Sequence, residues 1–380
     1  MAAATSEYDL LLSLSAVLRV DQSAAQVAAL RQEMRAGGWC WPQLIAFASR
    51  ELLAPALWVA LCDQGLQGDP PAASADYLRR AHAVNAVRNT RIACELEGII
   101  RTLNAVDIEP VLLKGAVDLV APRYPDPAAR ILRDLDLLVP RAQCPRALAA
   151  LAVAGYHEKS DWLETYFHEL ARPRAMAPID LQWYVGGQRD VLAPEQACGG
   201  AVTMAQGGLR FRVLSPAHQV VHNVLHSELQ DRGSKSRFVW LRQLLDLATI
   251  CRHHEQQLDW GQVRHRFARI GIEEVLIARL HMAQQLLGLA MPAGIDPTPA
   301  ARAHLRRALA RLRGPHTMRA RGLWATIGSQ FDPRLLDVIY HSGNSRLRLG
   351  RARIRHGLRL AGHHGLHFGS AIKKQARKYQ

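Results

Sequence analysis

The stretch ILRDLDLLVP, residues 131–140, places two carboxylates, Asp134 and Asp136, inside a run of leucine and valine. Alternate residues of a strand share a face. Asp134 and Asp136 therefore stand on one face with Leu138, while Leu135, Leu137 and Val139 turn the other way, into a core. Pro140 closes the strand. Two carboxylates at neighbouring positions of one face repel each other unless a cation lies between them. A hard divalent ion held by carboxylate oxygens, such as magnesium, meets that need.

A second apolar run, PIDLQWYV (178–185), supplies a third acid. Asp180 shares a face with Gln182 and Tyr184, and Ile179, Leu181 and Trp183 face the core. If the two strands are neighbours, three aspartates meet at one place. Two metal ions about 3.5–4 Å apart can then clamp the attacking and leaving oxygens of a phosphoryl transfer. Two acids alternating in a strand are also a common edge or turn feature, so the motif alone does not decide the chemistry.

Around these strands the chain reads as mostly helical. Residues 8 to about 63 are expected to be helices, one of them capped by Asp21 or Ser23 and stopped at Gly37-Gly38. DPPAASAD (69–76) reads as a loop, and apolar residues at three- and four-residue steps predict a long helix from about 77 to 104. IEPVLLKGA (108–116) reads as a buried strand, AVDLVAPRY as a short helix, and PRALAALAVAGY as a helix stopped by Gly155. The alternation of strand and helix between about 108 and 214 marks a small α+β domain. From Ser215, with Pro216 in the first helical position, the chain is helical again, at 216–229, 237–253, 260–270, 272–288 and 299–313. Four segments follow: an N-terminal helical region (1–105), an α+β core (106–214), a C-terminal helical domain (215–313) and a basic extension (314–380).

The composition excludes several classes. A chain of 380 residues, 49% hydrophobic and 21% charged, has the make-up of a globular protein with two or three structural units. The longest apolar run, LLAPALWVALC (52–62), is too short to span a bilayer and contains Pro55. No basic segment precedes the apolar stretch of MAAATSEYDLLLSL, so no signal peptide is expected. Six cysteines without C-x-x-C spacing argue against a zinc ribbon or a disulfide scaffold and point to the reducing cytoplasm. G-x-x-x-x-G-K, H-E-x-x-H and G-x-S-x-G are all absent, which removes the motif support for P-loop, zinc-protease and serine-hydrolase readings.

Lys114-Gly115 after PVLLKG, then a short helix, then R-x-x-x-D-x-D-L-L-V resembles the nucleotidyltransferases of the polymerase-β superfamily. More narrowly it resembles a poorly characterised bacterial family with LLKGA…Y…R…DLDLLV. AVRNTRIACELEGIIRTLNA resembles the helix before this core in that family. AGY (154–156), His168 in YFHEL, IDLQW (179–183), VHNVLH (221–226) and LLDLA (244–248) resemble segments after it. The resemblance runs over roughly 80–290. It departs from the wider superfamily in having Lys-Gly where Gly-Ser is usual, with Asp134 19 positions after Gly115, and Gln182 where the family often has His.

This resemblance implies a small mixed nucleotidyltransferase sheet embedded between the helical regions. It implies transfer of a nucleoside monophosphate from an NTP, with pyrophosphate leaving. Asp134 and Asp136 would hold a Mg²⁺ or Mn²⁺ that bridges the triphosphate, and Asp180 would complete a second metal site and help activate the acceptor. Gly115 would let the backbone approach phosphate at a helix N-terminus, Lys114 would add a positive charge, and Arg130 would serve as a triphosphate or structural partner. His218, His222 and His226 share one helix face, but the first and third lie about 12 Å apart at 1.5 Å per residue, too far for one tetrahedral ion. His222 and His226, with His168 and Gln182, are expected to line an acceptor pocket, and His218 to pack.

The formal net charge is +15, and ten of the basic residues, from Arg346 to Lys378, follow the last acid, Asp337. Such a tail can attract an anionic partner, a membrane surface or nucleic acid. Three readings stay open: an active metal-dependent nucleotidyltransferase with an unidentified acceptor, a catalytically silent nucleotidyltransferase-like binding protein, and an RNA-binding protein using the tail.

Overall fold

The computed structural model describes residues 5–158, 167–185, 191–230, 239–313 and 351. All but the last belong to one compact unit. Apart from Arg351, the basic tail lies outside the described residues.

Four helices open the chain: α1 (Glu7–Val17), α2 (Ala24–Arg35), α3 (Trp41–Arg50) and α4 (Ala54–Asp63). Ser23, rather than Asp21, caps α2, in a reciprocal capping box with Gln26. Helix α5 (Ala72–Asn104) starts before the expected position 77. The segment AASAD, read as loop, is rich in alanine, the best helix former, and joins the helix directly behind Pro71. Among the described residues no single helix is long and apolar enough to cross a membrane. All six cysteines are free thiols.

The centre is a seven-stranded mixed sheet in the order β3-β4-β5-β2-β1-β7-β6. Its strands are β1 (Val111–Leu112), β2 (Leu135–Leu138), β3 (His157–Glu158), β4 (Phe167–Ala171), β5 (Ile179–Gln182), β6 (Val202–Gln206) and β7 (Leu209–Val213). Helices α6 (Lys114–Asp118), α7 (Cys144–Val153) and α8 (Pro194–Gly199) lie between them. β2 and β5 are parallel, as are β1 and β7; the other neighbours are antiparallel. The strand expected over 108–116 shrinks to two residues, because Lys114 takes a left-handed φ of 46° and starts α6. β6 and β7 form a hairpin over Gly207-Gly208, whose φ values of 57° and 78° suit a tight hairpin turn.

The sheet separates two apolar layers. Leu112, Leu135, Leu137, Ile179, Leu181 and Phe211 face α5 and α7. Val111, Leu113 and Leu138 face the opposite way, into a layer that also holds the N-terminal helices and the C-terminal ones. Those are α9 (Pro216–Val224), running on into a π-turn at Leu225–Gln230, then α10 (Leu241–His253), α11 (Trp260–Ala268), α12 (Glu273–Leu287) and α13 (Pro299–Arg313). Ser215 caps α9 by accepting from the His218 N–H. The face alternation of β2 thus puts Asp136 on the same face as Leu138, which packs in the layer shared with α9 and α10.

One side of α5 fixes the chain just ahead of the two acids. The Asn85 amide donates to the carbonyls of Ala128 (2.7 Å) and Arg130 (3.0 Å), and Asn89 donates to Pro127 (3.0 Å) and Arg130 (2.9 Å). Arg88 donates to the carbonyls of Leu132 and Met176. Buried carbonyls without donors are costly, by about 1–3 kcal/mol each. Asn85→Ala is therefore expected to lower stability by about 1–3 kcal/mol, read as a lower urea midpoint with an unchanged slope. An unchanged midpoint would show that the clamp contributes nothing.

Candidate active site

The two acid-bearing strands are direct neighbours. β2 and β5 pair in parallel with Leu135 opposite Ile179, Asp136 opposite Asp180 and Leu138 opposite Gln182. Paired residues of a sheet share a face, so Asp136, Asp180 and Gln182 face together, and Asp134 precedes β2 in the same parity. β4 adds a fourth acid: Glu169 pairs with Asp180.

Asp136 is 1% exposed. Its Oδ1 accepts from the Lys114 ammonium at 2.7 Å and from the Gln182 amide at 2.6 Å; Oδ2 accepts nothing among the described residues. Asp134 and Asp180 are half-buried and make no side-chain hydrogen bond among the described residues. Burial, together with the charges of Asp136 and Asp134, pushes the Asp180 carboxyl up to about 7 against the pull of Lys114. Burial works against the charge on Lys114, but Asp136, with Asp134 and Asp180, outweighs it and holds the lysine above its ordinary range.

The left-handed backbone at Lys114 costs about 1–2 kcal/mol for a residue with a side chain. The carbonyl of Lys114 accepts from Arg123 at 2.7 Å, and Arg123 is itself held by Asp118 at 2.7 and 2.8 Å and by Gln219 at 2.9 Å. This turn is thus tied to both α6 and α9. On its other side Lys114 lines a cavity with Arg123, His222, His226, Arg242 and Gln243. Burial keeps His222 well below the usual imidazole range, and Lys114 and His226 push the same way, so the ring is neutral.

A sequence profile of the family described as "Uncharacterised nucleotidyltransferase" matches residues 39–288, more than half of the chain. The chain belongs to that family. No curated protein matches it. Two solved structures are similar to this chain over about half of its length. The antibiotic-resistance factor ANT(2'')-Ia shares 14% identity over 49% of this chain and 92% of its own, with a TM-score of 0.33. An antigenic nucleotidyltransferase-like protein from Paracoccidioides brasiliensis shares 14% identity over 55% of this chain and 98% of its own, with a TM-score of 0.35.

Several residues named from the sequence stand differently in the structure. Arg130 is buried and committed to carboxylates: it donates to Asp246 at 2.8 and 2.9 Å and lies 3.5 Å from Asp118. Of its two expected parts, the structural one is occupied. The space opened by the missing Cβ of Gly115 belongs to the same arginine, since a Cβ there would lie 1.9 Å from Nη1 of Arg130 and 2.6 Å from Leu132. Packing of Arg130 and Leu132 thus already demands glycine at this position, and α6, with five residues, is too short to offer a helix N-terminus of consequence. His168 pairs with Leu181 across β4 and β5 and so faces away from the aspartates; it bonds Glu158 and stacks at 5.1 Å on Trp183. It does not line the cavity, whereas His222 and His226 do. His218 is buried and bonds Arg266 at 2.9 Å.

Three residues were not singled out in the sequence. Glu169 was readable from the alternation in FHELA (167–171), had a strand been assigned there. Arg242 and Asp246 sit one helical turn apart on α10, in a segment read as helix over 237–253, with only Asp246 inside the resemblance at LLDLA (244–248). Arg242 lines the cavity and makes no hydrogen bond or ion pair among the described residues.

As the side chains stand, no three His, Cys, Asp or Glu residues among those described are gathered closely enough to hold a metal ion. The donor set nevertheless fits a hard divalent cation in kind, being all carboxylate oxygen, with Lys114 resting on the carboxylate such an ion would use.

The raised carboxyl gives a direct test in metal-free protein. A carbon-13 NMR titration is expected to show the Asp180 carboxyl losing its proton near pH 7, and at a lower pH once Asp136→Asn removes one repelling charge. The folded-state value lies above the ordinary 3.8, so the metal-free fold loses stability as pH rises from there to about 7. Titration at the ordinary carboxylate value would contradict the packing of charges described here.

Proposed function

We propose that the protein transfers a nucleoside monophosphate from an NTP to an acceptor nucleophile. The acceptor attacks the α-phosphorus, the bond to the β-phosphate oxygen breaks, and pyrophosphate leaves. Asp134, Asp136 and Asp180 hold Mg²⁺ or Mn²⁺, which when bound neutralises triphosphate charge and polarises the reacting phosphoryl group. Asp180, on the face shared with Asp136, takes the proton of the acceptor. Lys114 and Arg242, on the cavity wall, supply cationic contacts to phosphate oxygens. Neutral His222, with His226, offers the acceptor hydrogen-bond partners, and Gln182 keeps the Asp136 carboxylate oriented.

The observation that carries this reading is the register that sets Asp136 beside Asp180 on one face of the sheet, two residues from Asp134. The experiment is incubation with each labelled NTP, Mg²⁺ or Mn²⁺ and a cell extract, for wild type and for Asp134→Ala and Asp136→Ala. Label transfer by the wild type alone supports the reading; equal transfer by the variants overturns the assigned roles. The Lys114–Asp136 ion pair favours a second reading, a nucleotide-binding protein without turnover. Saturable NTP binding with no label transferred to any acceptor would select it.

A further inference from the structure

Lys114 stands between two surroundings. Its ammonium lies 2.7 Å from Oδ1 of Asp136, a carboxylate that is almost wholly buried, while the residue also lines the cavity with Arg123, Arg242 and His222, and its charge acts on His222. The carboxylate side carries Asp134, Asp136, Asp180 and Glu169; the cavity side carries Arg123, paired with Asp118, Arg130, paired with Asp246, and Arg242, which has no ion pair among the described residues. Among the described residues the Lys114 ammonium is the one cation bonded to Asp136, at one of its two carboxylate oxygens. The turn that aims it is built for the purpose: a left-handed residue followed by a glycine whose missing side chain is filled by Arg130, with the lysine carbonyl fixed by Arg123.

We infer that the Lys114 ammonium holds the place of a divalent cation until nucleotide arrives, so that metal alone binds weakly and metal and triphosphate load together. A metal ion arriving by itself must meet the Lys114 charge at Asp136 or push it toward Arg242, where the nearby acids Asp118 and Asp246 are already paired with Arg123 and Arg130. A triphosphate in the cavity supplies the counter-charge, receives the ammonium and frees Oδ1 for the metal. The two ligands then help each other by the same factor in either order of addition. This inference rests on the reading of Asp134, Asp136 and Asp180 as metal holders, and it concerns what the lysine does to that binding.

The test is Mn²⁺ binding to the full chain, followed by electron paramagnetic resonance, with and without a non-hydrolysable NTP analogue. Without nucleotide, Lys114→Met is expected to bind Mn²⁺ on the order of tenfold or more tighter than wild type, because one repelling charge is gone. Lys114→Gln, a second neutral form, should agree with it. Lys114→Arg, which keeps the charge, should bind the lone metal as weakly as wild type. The gain in Mn²⁺ affinity on adding the analogue, large in wild type, should shrink by a similar factor in the neutral variants. Lone-metal binding by folded Lys114→Met or Lys114→Gln that is no tighter than wild type overturns the inference and leaves the metal site intact. Absence of Mn²⁺ binding in wild type and variants alike, with or without the analogue, overturns both the inference and the metal reading beneath it.

Discussion

Asp136→Ala is expected to lower nucleotidyl transfer by about a thousandfold, the size of effect that follows when several kcal/mol of charge stabilisation are lost at about 1.4 kcal/mol per factor of ten. The position is singled out by its partners. Its carboxylate is the only one of the three strand aspartates, among the described residues, to accept hydrogen bonds, from Lys114 and Gln182. Removing it leaves a half-buried ammonium without its counter-charge and an amide without its acceptor. Asp136→Asn separates the two losses: it retains a side-chain oxygen for Gln182 and Lys114 but removes the charge. It should be nearly as inactive as alanine while folding closer to wild type. The measurement is label transfer at saturating NTP, with urea unfolding of each variant alongside. An alanine variant as active as wild type would detach Asp136 from the chemistry.

Asp246→Ala is expected to be the most destabilising of the substitutions considered, by about 3–5 kcal/mol, the range for removing one partner of a buried ion pair. Asp246 accepts from Arg130 twice and from the Tyr124 hydroxyl at 2.6 Å, and all three residues are buried. The pair ties the chain ahead of β2 to α10, so the two acids and the cavity wall are fixed to each other through it. Arg130→Met with Asp246→Leu, which removes both charges, should recover most of the loss. Burial opposes ionisation of Asp246, but Arg130, with Arg242 and Tyr124, more than offsets this and holds the carboxyl below its usual range. A carboxyl lowered in the fold contributes stability above the unfolded value, near 4, that is lost as pH falls below it. The margin of wild type over Asp246→Asn should therefore hold from neutral pH down to about 4 and begin to shrink below it, as seen in urea midpoints taken from neutral pH to about pH 3.

The parts of the fold that the sequence revealed are those with a local period. β2 and β5 show in DLDLLV and PIDLQW because apolar residues alternate with acids over four residues or more, and the C-terminal helices show because Ser215-Pro216 and Gly288 punctuate them. The strands left unread carry weak local signals. β3 is two exposed residues, and β6 is an edge strand with Val202 exposed, so neither needs an apolar face. The hairpin turn Gly207-Gly208 was the readable sign of β6 and β7. Within the site, acids in alternation were legible, but partners at long range were not. Arg130 could be recognised as a charged residue near the acids, whereas its partner Asp246 lies 116 residues away. The face on which His168 falls depends on a strand pairing that local spacing does not encode.

The decisive measurement is a count of Mn²⁺ ions bound per chain in the presence of a non-hydrolysable NTP analogue, for wild type, Asp134→Asn, Asp136→Asn and Asp180→Asn. If three carboxylates from adjacent strands hold the cations that steer the triphosphate, wild type binds two ions and each substitution removes at least one or weakens both by tenfold or more. Unchanged number and affinity of ions in all three variants would contradict it.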